Sequence, residues 1–403
     1  MKKNLFLLLI IFLCLKTEGQ VSDSPHLQFS ISKLDSIDKL MENKVRSNSL
    51  AGVEYLIANK SEIIHHQAIG YRDIEKHDTL QKNSLFRISS ATKPFTAVAV
   101  LMLIDKGLVS LSDPISKYIP EFRDIKVLSK DSSQKYISAK REITIYDLLT
   151  YQSGIDFIRE YYMKAGIFNP KIKTTLKENV LKISAMPLTH QPGEGFQYGI
   201  ASEVLAYLVE VVSKTQFNEF LKQNLFSPLE MYDTDYYVPE NKRNRFVSSY
   251  TFNEKEKKLQ LEESAEDSKH VKEITFFSGG GGIVSTPTDY LKFARMLLNK
   301  DMWKDKRILS EKSVELMTSN HLPDWLVGTE PSISNRGWGM GVWVANGNTK
   351  NIFPKGTYGK EGGNYTTLFW VDKRNELKGI IFLQTNESFS VIPDFIKMVY
   401  NEK

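Results

Sequence analysis

A serine and a lysine three positions apart carry the first chemical signal in this chain. Ser90 and Lys93 stand in the stretch Phe86-Arg87-Ile88-Ser89-Ser90-Ala91-Thr92-Lys93-Pro94. A short strand-like run, Leu85 to Ile88, leads into them. An almost unbroken apolar run follows, Ala97 to Ile104, and closes at Asp105-Lys106-Gly107. Glycine is the residue expected just past a helix end, and a helix apolar on nearly all sides is a buried one. Pro94 is tolerated only in a first turn, so the helix is predicted to begin near Ser90. That puts the serine hydroxyl at the positive end of the helix dipole. Lys93 then lies one turn on, beside the hydroxyl. A lysine entering a buried helix loses solvation, which favours its neutral form, and an amine beside a hydroxyl is a general base beside a nucleophile. The same spacing arises by chance in many chains of this size, so its weight depends on the buried helix and on the remaining sequence.

The chain has 403 residues, 41% hydrophobic and 25% charged, with a net charge of +5. That is globular composition, long enough for one large or two modest domains. The charges are mixed along the chain, which gives no footprint for nucleic acid. Residues 1–19 read as a leader: Lys2 and Lys3 precede an apolar run, Leu5 to Leu15, too short to span a bilayer. Cleavage is predicted before Gln20. Lipidation of Cys14 is the alternative, opposed by the bulky Leu13 before it. Removing Lys2, Lys3, Lys16 and Glu18 takes the charge from +5 to +3. Cys14 is the only cysteine, so the mature chain has no disulfide, thiolate metal site or cysteine nucleophile. The expectation is an exported protein, periplasmic or secreted, with no stable membrane insertion after cleavage.

Residues 30–48 carry an amphipathic stripe, Leu34, Ile37, Leu40, Met41 and Val45. Val53–Ala58 and Ile63–Ile69 flank Asn59-Lys60-Ser61 as a hairpin. Residues 145–275 read as a mainly helical region, with Ala201 to Ser213 as its clearest helix. Within it, the charged stretch 253–272 reads as a solvated loop or exposed hairpin. Four glycines, 279–282, precede a helix from Thr288, but neither a Gly-Lys-Ser/Thr nor a dinucleotide pattern accompanies them. Close backbone packing beside a site is expected there. Strands are predicted at Gly339–Val344, Thr366–Val371 and Gly379–Gln384, and a last helix at Ile392–Tyr400. Strands at both ends with helices between predict an α+β fold: an antiparallel sheet from both termini (about 24–144 and 276–403), flanked by helices, with the mainly helical region inserted.

Phe86 to Pro120 resembles the serine β-lactamase and penicillin-binding protein superfamily, in its class C and family VIII esterase-like branch. Ile143 to Gly154 is similar to that branch's "LLTHTSGL" block. Pro192-Gly193-Glu194-Gly195-Phe196-Gln197-Tyr198 is similar to its "PG-x-x-F-x-Y-S" block, and Gly280 to Phe293 to its "GGGLVSTA-x-DYARF" block. The resemblance covers roughly residues 30–400. It implies Ser90 as nucleophile, Lys93 as its proton acceptor and Tyr198 as the group that passes a proton to the leaving group. It implies the third motif at Glu361-Gly362-Gly363 as the substrate-binding strand edge, and the backbone amides of Ser90 and Asn364 as the oxyanion hole. Two positions depart from the pattern. Ile200 stands where an asparagine amide holds a β-lactam side chain, and Glu361 stands where a cation grips a substrate carboxylate. With the register shifted by one, Lys360 would take that second place.

No other chemistry competes. None of the seven histidines forms a metal-ligand pattern with a carboxylate at helical spacing, and no G-x-S-x-G elbow is present. The expected activity is an exported serine hydrolase acting through an acyl-enzyme on an ester or amide of a small acyl group, with a small-molecule or peptide substrate and no metal or cofactor. The alternatives are a class C-like β-lactamase, a D-amino-acid peptidase on cell-wall peptides, and a non-catalytic binding member of the fold.

Overall fold

The computed structural model describes residue 27 and residues 29–129, 131, 135–156, 165–167, 172–253, 255–299, 302–304, 306–329, 333–347, 352–386 and 391–400. The predicted leader, with Cys14, lies outside them.

Eight strands form one antiparallel sheet. Three come from the N-terminal part: β1 (Gly52–Ala58), β2 (Ile63–Asp73) and β3 (Asp78–Thr79). Five come from the C-terminal part: β4 (Arg336–Trp338), β5 (Trp343–Ala345), β6 (Tyr358–Gly362), β7 (Thr367–Asp372) and β8 (Leu377–Leu383). The order is β4-β5-β6-β7-β8-β1-β2-β3, so the two ends of the chain meet where β1 pairs with β8. β1, β7 and β8 are buried along their whole length, because helices cover both faces.

On one face lie α1 (Ile31–Arg46) and α5 (Val391–Tyr400). Ser30 caps α1 by accepting a hydrogen bond from the Lys33 amide at 3.2 Å. Tyr55 of β1 packs edge-on against Phe395 of α5, with ring centroids 5.3 Å apart, and donates its hydroxyl proton to Asp38 of α1. On the other face lies α4 (Pro287–Leu298), whose Tyr290 ring is 4.7 Å from that of Phe369 on β7. Behind α4 comes α2 (Lys93–Asp105), and behind that α3 (Ala201–Ser213). Every residue of α2 from Lys93 to Leu103 is buried, the result expected of a run with no polar face. Phe95 is its anchor. Its ring meets Phe226, Tyr290 and Phe293 at centroid distances of 5.2, 5.2 and 4.7 Å.

The predicted elements need three corrections. The helix after Ser90 does not start as an α-helix: Ser89–Thr92 form a 3₁₀ turn, and α2 follows from Lys93. The predicted strand Gly339–Val344 is half turn. The chain reverses between β4 and β5, with the Gly339 amide donating to the Val342 carbonyl at 2.8 Å and Gly341 at φ +78°. The charged stretch 253–272 divides in two. Ser249–Asn253 and Lys258–Glu263 form a hairpin. His270 and Val271, by contrast, are buried, Val271 in a second small core with Leu85, Val238 and Phe246.

Phe95→Ala removes the ring that ties α2 to α4, and loss of a large buried ring typically costs about 3–5 kcal/mol. A urea titration is expected to show a loss of that size with an unchanged slope. A loss under about 1 kcal/mol would mean that α2 is not anchored there.

Candidate active site

The Ser90 turn is held from several directions. Phe86–Arg87 pairs with Val284–Ser285, and the Ile88 amide donates to the Ile283 carbonyl at 3.0 Å. Ser89 then adopts φ +46°, a left-handed conformation unusual for a residue with a side chain, and the chain swings into the 3₁₀ turn. Tyr290 Oη donates to the Ala91 carbonyl at 2.7 Å. Thr367 Oγ1 donates to the Ile88 carbonyl at 3.1 Å. Gly362 lies so close to this segment that a Cβ there would sit 2.2 Å from the Ile88 oxygen. The end of β6 is therefore pressed against the strand that delivers Ser90.

Lys93 Nζ donates to Ser90 Oγ at 3.2 Å and to the Gly280 carbonyl at 2.7 Å. The residue is 6% exposed. The run of four glycines supplies the second contact, and Glu203 of α3 shapes that run. Its carboxylate accepts from Ser278 Oγ at 2.6 Å, from the Gly279 amide at 2.8 Å and from the Gly280 amide at 3.1 Å. Burial raises the Glu203 pKa in spite of these donors and of the Lys93 charge nearby. At Gly279 a Cβ would fall 2.1 Å from the Ser202 carbonyl oxygen, so only glycine lets the loop approach α3 this closely.

Tyr198 enters from the loop before α3, after the predicted Pro192-Gly193 turn, where Gly193 has φ +82°. Its ring lies 5.2 Å from Tyr151 and 5.5 Å from Trp338. Two ammonium groups face it: Lys93 Nζ at 5.2 Å and Lys360 Nζ at 4.7 Å from the ring centre. The phenolic oxygen is shielded from solvent and makes no hydrogen bond of normal geometry among the described residues. Ser90 and Lys360 nonetheless lie near enough to stabilise its anion. Burial alone would raise the phenol's pKa; the charges of Lys360 and Lys93 and those two polar neighbours outweigh it and lower the value to about 8.

The β6 cation nearest Tyr198 lies one residue before the Glu361 of the sequence pattern. Lys360 and Glu361 are consecutive on β6, and consecutive strand residues point to opposite faces. Lys360, paired across the strands with Phe369, is the one that turns towards Tyr198 and Trp338. Glu361 pairs with Arg336 of β4 at 2.5 Å, and its other carboxylate oxygen stays 3.8 Å from Lys360 Nζ. Burial opposes its charge, but Arg336 and Lys360 hold the carboxyl below its ordinary range. Gly362 closes β6, and Gly363 opens the 3₁₀ turn Gly363–Tyr365 that contains Asn364. A Cβ on Gly363 would meet nothing within 4 Å. Ile200 belongs to the hydrophobic core and is 7% exposed, so it offers the site no polar contact and little surface.

Four of the predicted site positions therefore converge: Ser90, Lys93, Tyr198 and the strand edge at Gly362–Gly363. Lys360, the alternative one residue before Glu361, faces Tyr198, and Glu203, not singled out from the sequence, shapes the loop that meets Lys93. Among the described residues no cluster of three His, Cys, Asp or Glu side chains could hold a metal ion. His65 and His66 are committed elsewhere, to Asp38 at 2.6 Å and Glu54 at 2.9 Å.

Residues 37–398 match the family model described as Beta-lactamase, and the chain belongs to that family. It is 29% identical over 357 residues to "Protein Rv1367c" of Mycobacterium tuberculosis, which covers 85% of this chain and 88% of the relative. It is 29% identical over 214 residues to "Esterase EstB" of Burkholderia gladioli, covering 51% of this chain and 52% of that one. Among solved structures, "EstCE1, a hydrolase with promiscuous acyltransferase activity" superposes with a TM-score of 0.79 at 20% identity, covering 92% of this chain and 99% of that one. The fold is thus that of the serine β-lactamases and penicillin-binding proteins, and the chain is a serine hydrolase of that family.

An ultraviolet titration of the folded protein, differenced against Tyr198→Phe, is expected to show one phenol ionising near 8. Lys360→Met is expected to move that ionisation upward, because it removes a cation that stabilises the phenolate. A wild-type protein whose first phenol ionises only at about 10, the ordinary value, would contradict the electrostatics described.

Proposed function

We propose that this member of the Beta-lactamase family is an exported hydrolase that forms an acyl-enzyme on Ser90, acting on an ester or amide of a small acyl group. The observation that carries the reading is the convergence of Ser90 Oγ, Lys93 Nζ and the Tyr198 phenol in one enclosed place. The leader-like run at residues 1–19 supports export.

With a pKa near 8, about a tenth of Tyr198 is phenolate at pH 7, roughly a hundredfold more than for an ordinary tyrosine. Lys93 donates to both Ser90 and Gly280, so in place of the proton-acceptor role that the resemblance implies, it holds the hydroxyl and helps stabilise that phenolate. The phenolate takes the Ser90 proton as Oγ bonds to the substrate carbonyl carbon, and the carbonyl electron pair moves to its oxygen. The resulting oxyanion sits on the Ser90 amide and on the amide three residues beyond the motif's cation. With Lys360 as that cation, the second donor is Gly363 rather than Asn364. The bond from carbon to the leaving group then breaks, and Tyr198 returns its proton to the departing oxygen or nitrogen. Water, deprotonated by the same phenolate, cleaves the acyl–Ser90 ester and restores the serine.

Ester or amide substrates are preferred over penicillins because Ile200 replaces the side-chain amide that a β-lactam recognises. The esterase and hydrolase descriptions of EstB and EstCE1 agree with that preference. The β-lactamase reading keeps one specific observation in its favour: Lys360 restores the cation that Glu361 lacked. Arg336, paired with Glu361 at 2.5 Å, competes with the substrate amine on which the D-amino-acid peptidase reading relies.

The mature protein is expected to hydrolyse short-chain p-nitrophenyl esters, and Ser90→Ala to lower kcat/KM by at least about a thousandfold. Residual turnover within tenfold of wild type in that variant would end the acyl-enzyme proposal. Cephalosporin hydrolysis faster than ester hydrolysis would move the assignment to a β-lactamase.

A further inference from the structure

A cavity of about 630 Å³ adjoins the Ser90 turn, within the size range of small-molecule sites. Its inner wall includes Ser89, Gly281 and Tyr365, the immediate chain neighbours of Ser90, Gly280 and Asn364. At Gly281 a Cβ would lie 3.9 Å from the Ser89 carbonyl carbon, the atom bonded to the Ser90 amide. With no side chain at 281, that residue leaves the space next to the Ser89 carbonyl unfilled. Ile172, Ile274, Phe276, Ile283 and Tyr236 form an apolar lining.

Four cations and one carboxylate also line the cavity: Arg87, Lys173, Lys269, Lys272 and Glu273. Three of the cations are committed. Arg87 donates to the Val247 carbonyl at 2.7 Å and pairs with Glu263 at 2.9 Å. Lys173 pairs with Glu273 at 2.7 Å, which also neutralises the one carboxylate. Lys272 donates to the Asp267 carbonyl at 2.7 Å. Lys269 alone of the four has neither a hydrogen bond nor an ion pair among the described residues. Lys269 lines the cavity with an exposed side chain, and partial desolvation holds its pKa below the ordinary value. His270 beside it is neutral: burial and the neighbouring cations lower its pKa to about 3.

We propose that this cavity receives the acyl part of the substrate and that Lys269 selects acyl groups ending in a carboxylate. The proposal rests on the reading that Ser90 is acylated, and it names the substrate class: esters or amides of dicarboxylic acids, with an apolar chain between the reacting carbonyl and the free carboxylate. The apolar lining takes the methylenes, and the uncommitted ammonium takes the terminal charge. The geometry leaves the chemistry at Ser90 unchanged, and Lys269 acts as a specificity determinant through binding alone.

The test compares mono-p-nitrophenyl esters of adipate, suberate and sebacate with the same esters capped as methyl esters, at one ionic strength. The wild type is expected to prefer the free carboxylate by roughly tenfold or more in kcat/KM at one of these lengths, the scale of one charge-assisted contact. The preference should lie mainly in KM and shrink as salt is raised. Lys269→Gln is expected to bring the ratio of charged to capped substrate to about one, whereas Lys269→Arg retains most of it. A wild-type ratio near one at every length, or a ratio unchanged in Lys269→Gln, overturns the proposal while Ser90-dependent cleavage of the capped esters leaves the acyl-enzyme reading standing. Absence of cleavage of both series overturns that reading and this inference with it.

Discussion

A phenol enclosed between two ammonium groups is the constraint on which the rest of this site depends. Tyr198 is half-buried with its phenolic oxygen shielded from solvent, and that desolvation by itself makes a phenolate costly. Only the combined charge of Lys360 and Lys93, aided by Ser90, reverses that cost. The four residues come from four places: β6, the start of α2, the loop before α3 and the 3₁₀ turn before α2. Displacing β6 or the start of α2 would remove one of the two cations that lower the Tyr198 pKa. The sheet that joins both ends of the chain, and the aromatic layer around Phe95, Tyr290 and Phe369, are what fix α2 against β6.

Lys360 has the Glu361 carboxylate 3.8 Å away; Lys93 is instead oriented at one remove by Glu203. Its carboxylate gathers Ser278, Gly279 and Gly280, and Gly280 then presents its carbonyl to Lys93. The lysine is thereby oriented by a backbone oxygen rather than neutralised by a direct ion pair. A direct carboxylate–lysine bond would weaken the field that the lysine exerts on Tyr198. The glycine run serves both sides of this arrangement. Gly279 packs on α3, and Gly281 lines the cavity next to Ser89.

Much of this was legible in the chain because local rules sufficed. The Ser90–Lys93 spacing, the all-round apolar α2 and the Pro-Gly turn before Tyr198 each act within one turn or one loop. What local rules could not settle was register. On a strand, a shift of one residue exchanges the two faces, so the motif was assigned to Glu361 with Lys360 as the alternative, and only the packing of Lys360 against Tyr198 favours the latter. Tyr358 and Lys360 share one face, and an aromatic in alternation with a lysine was the available hint. Glu203 was illegible for a different reason. An acidic residue in a first helical turn is ordinary on dipole grounds, and only the packing of the glycine loop on α3 shows it buried. Gly339–Val344 misled because its apolar residues resemble a strand while Gly341 requires a turn.

The central claim is that Lys360 and Lys93 tune Tyr198 to serve as the base for Ser90. The most direct test is the pH dependence of kcat/KM for a short-chain ester in the wild type and in Lys360→Met. A base whose folded pKa is lowered works above that pKa and is lost below it, so the wild-type rate should rise with pH through an apparent value near 8. In Lys360→Met the same limb should move upward by roughly a unit or more, with the loss concentrated at neutral pH. A limb that stays in place when Lys360 is removed would contradict the account and shift the role of base away from Tyr198.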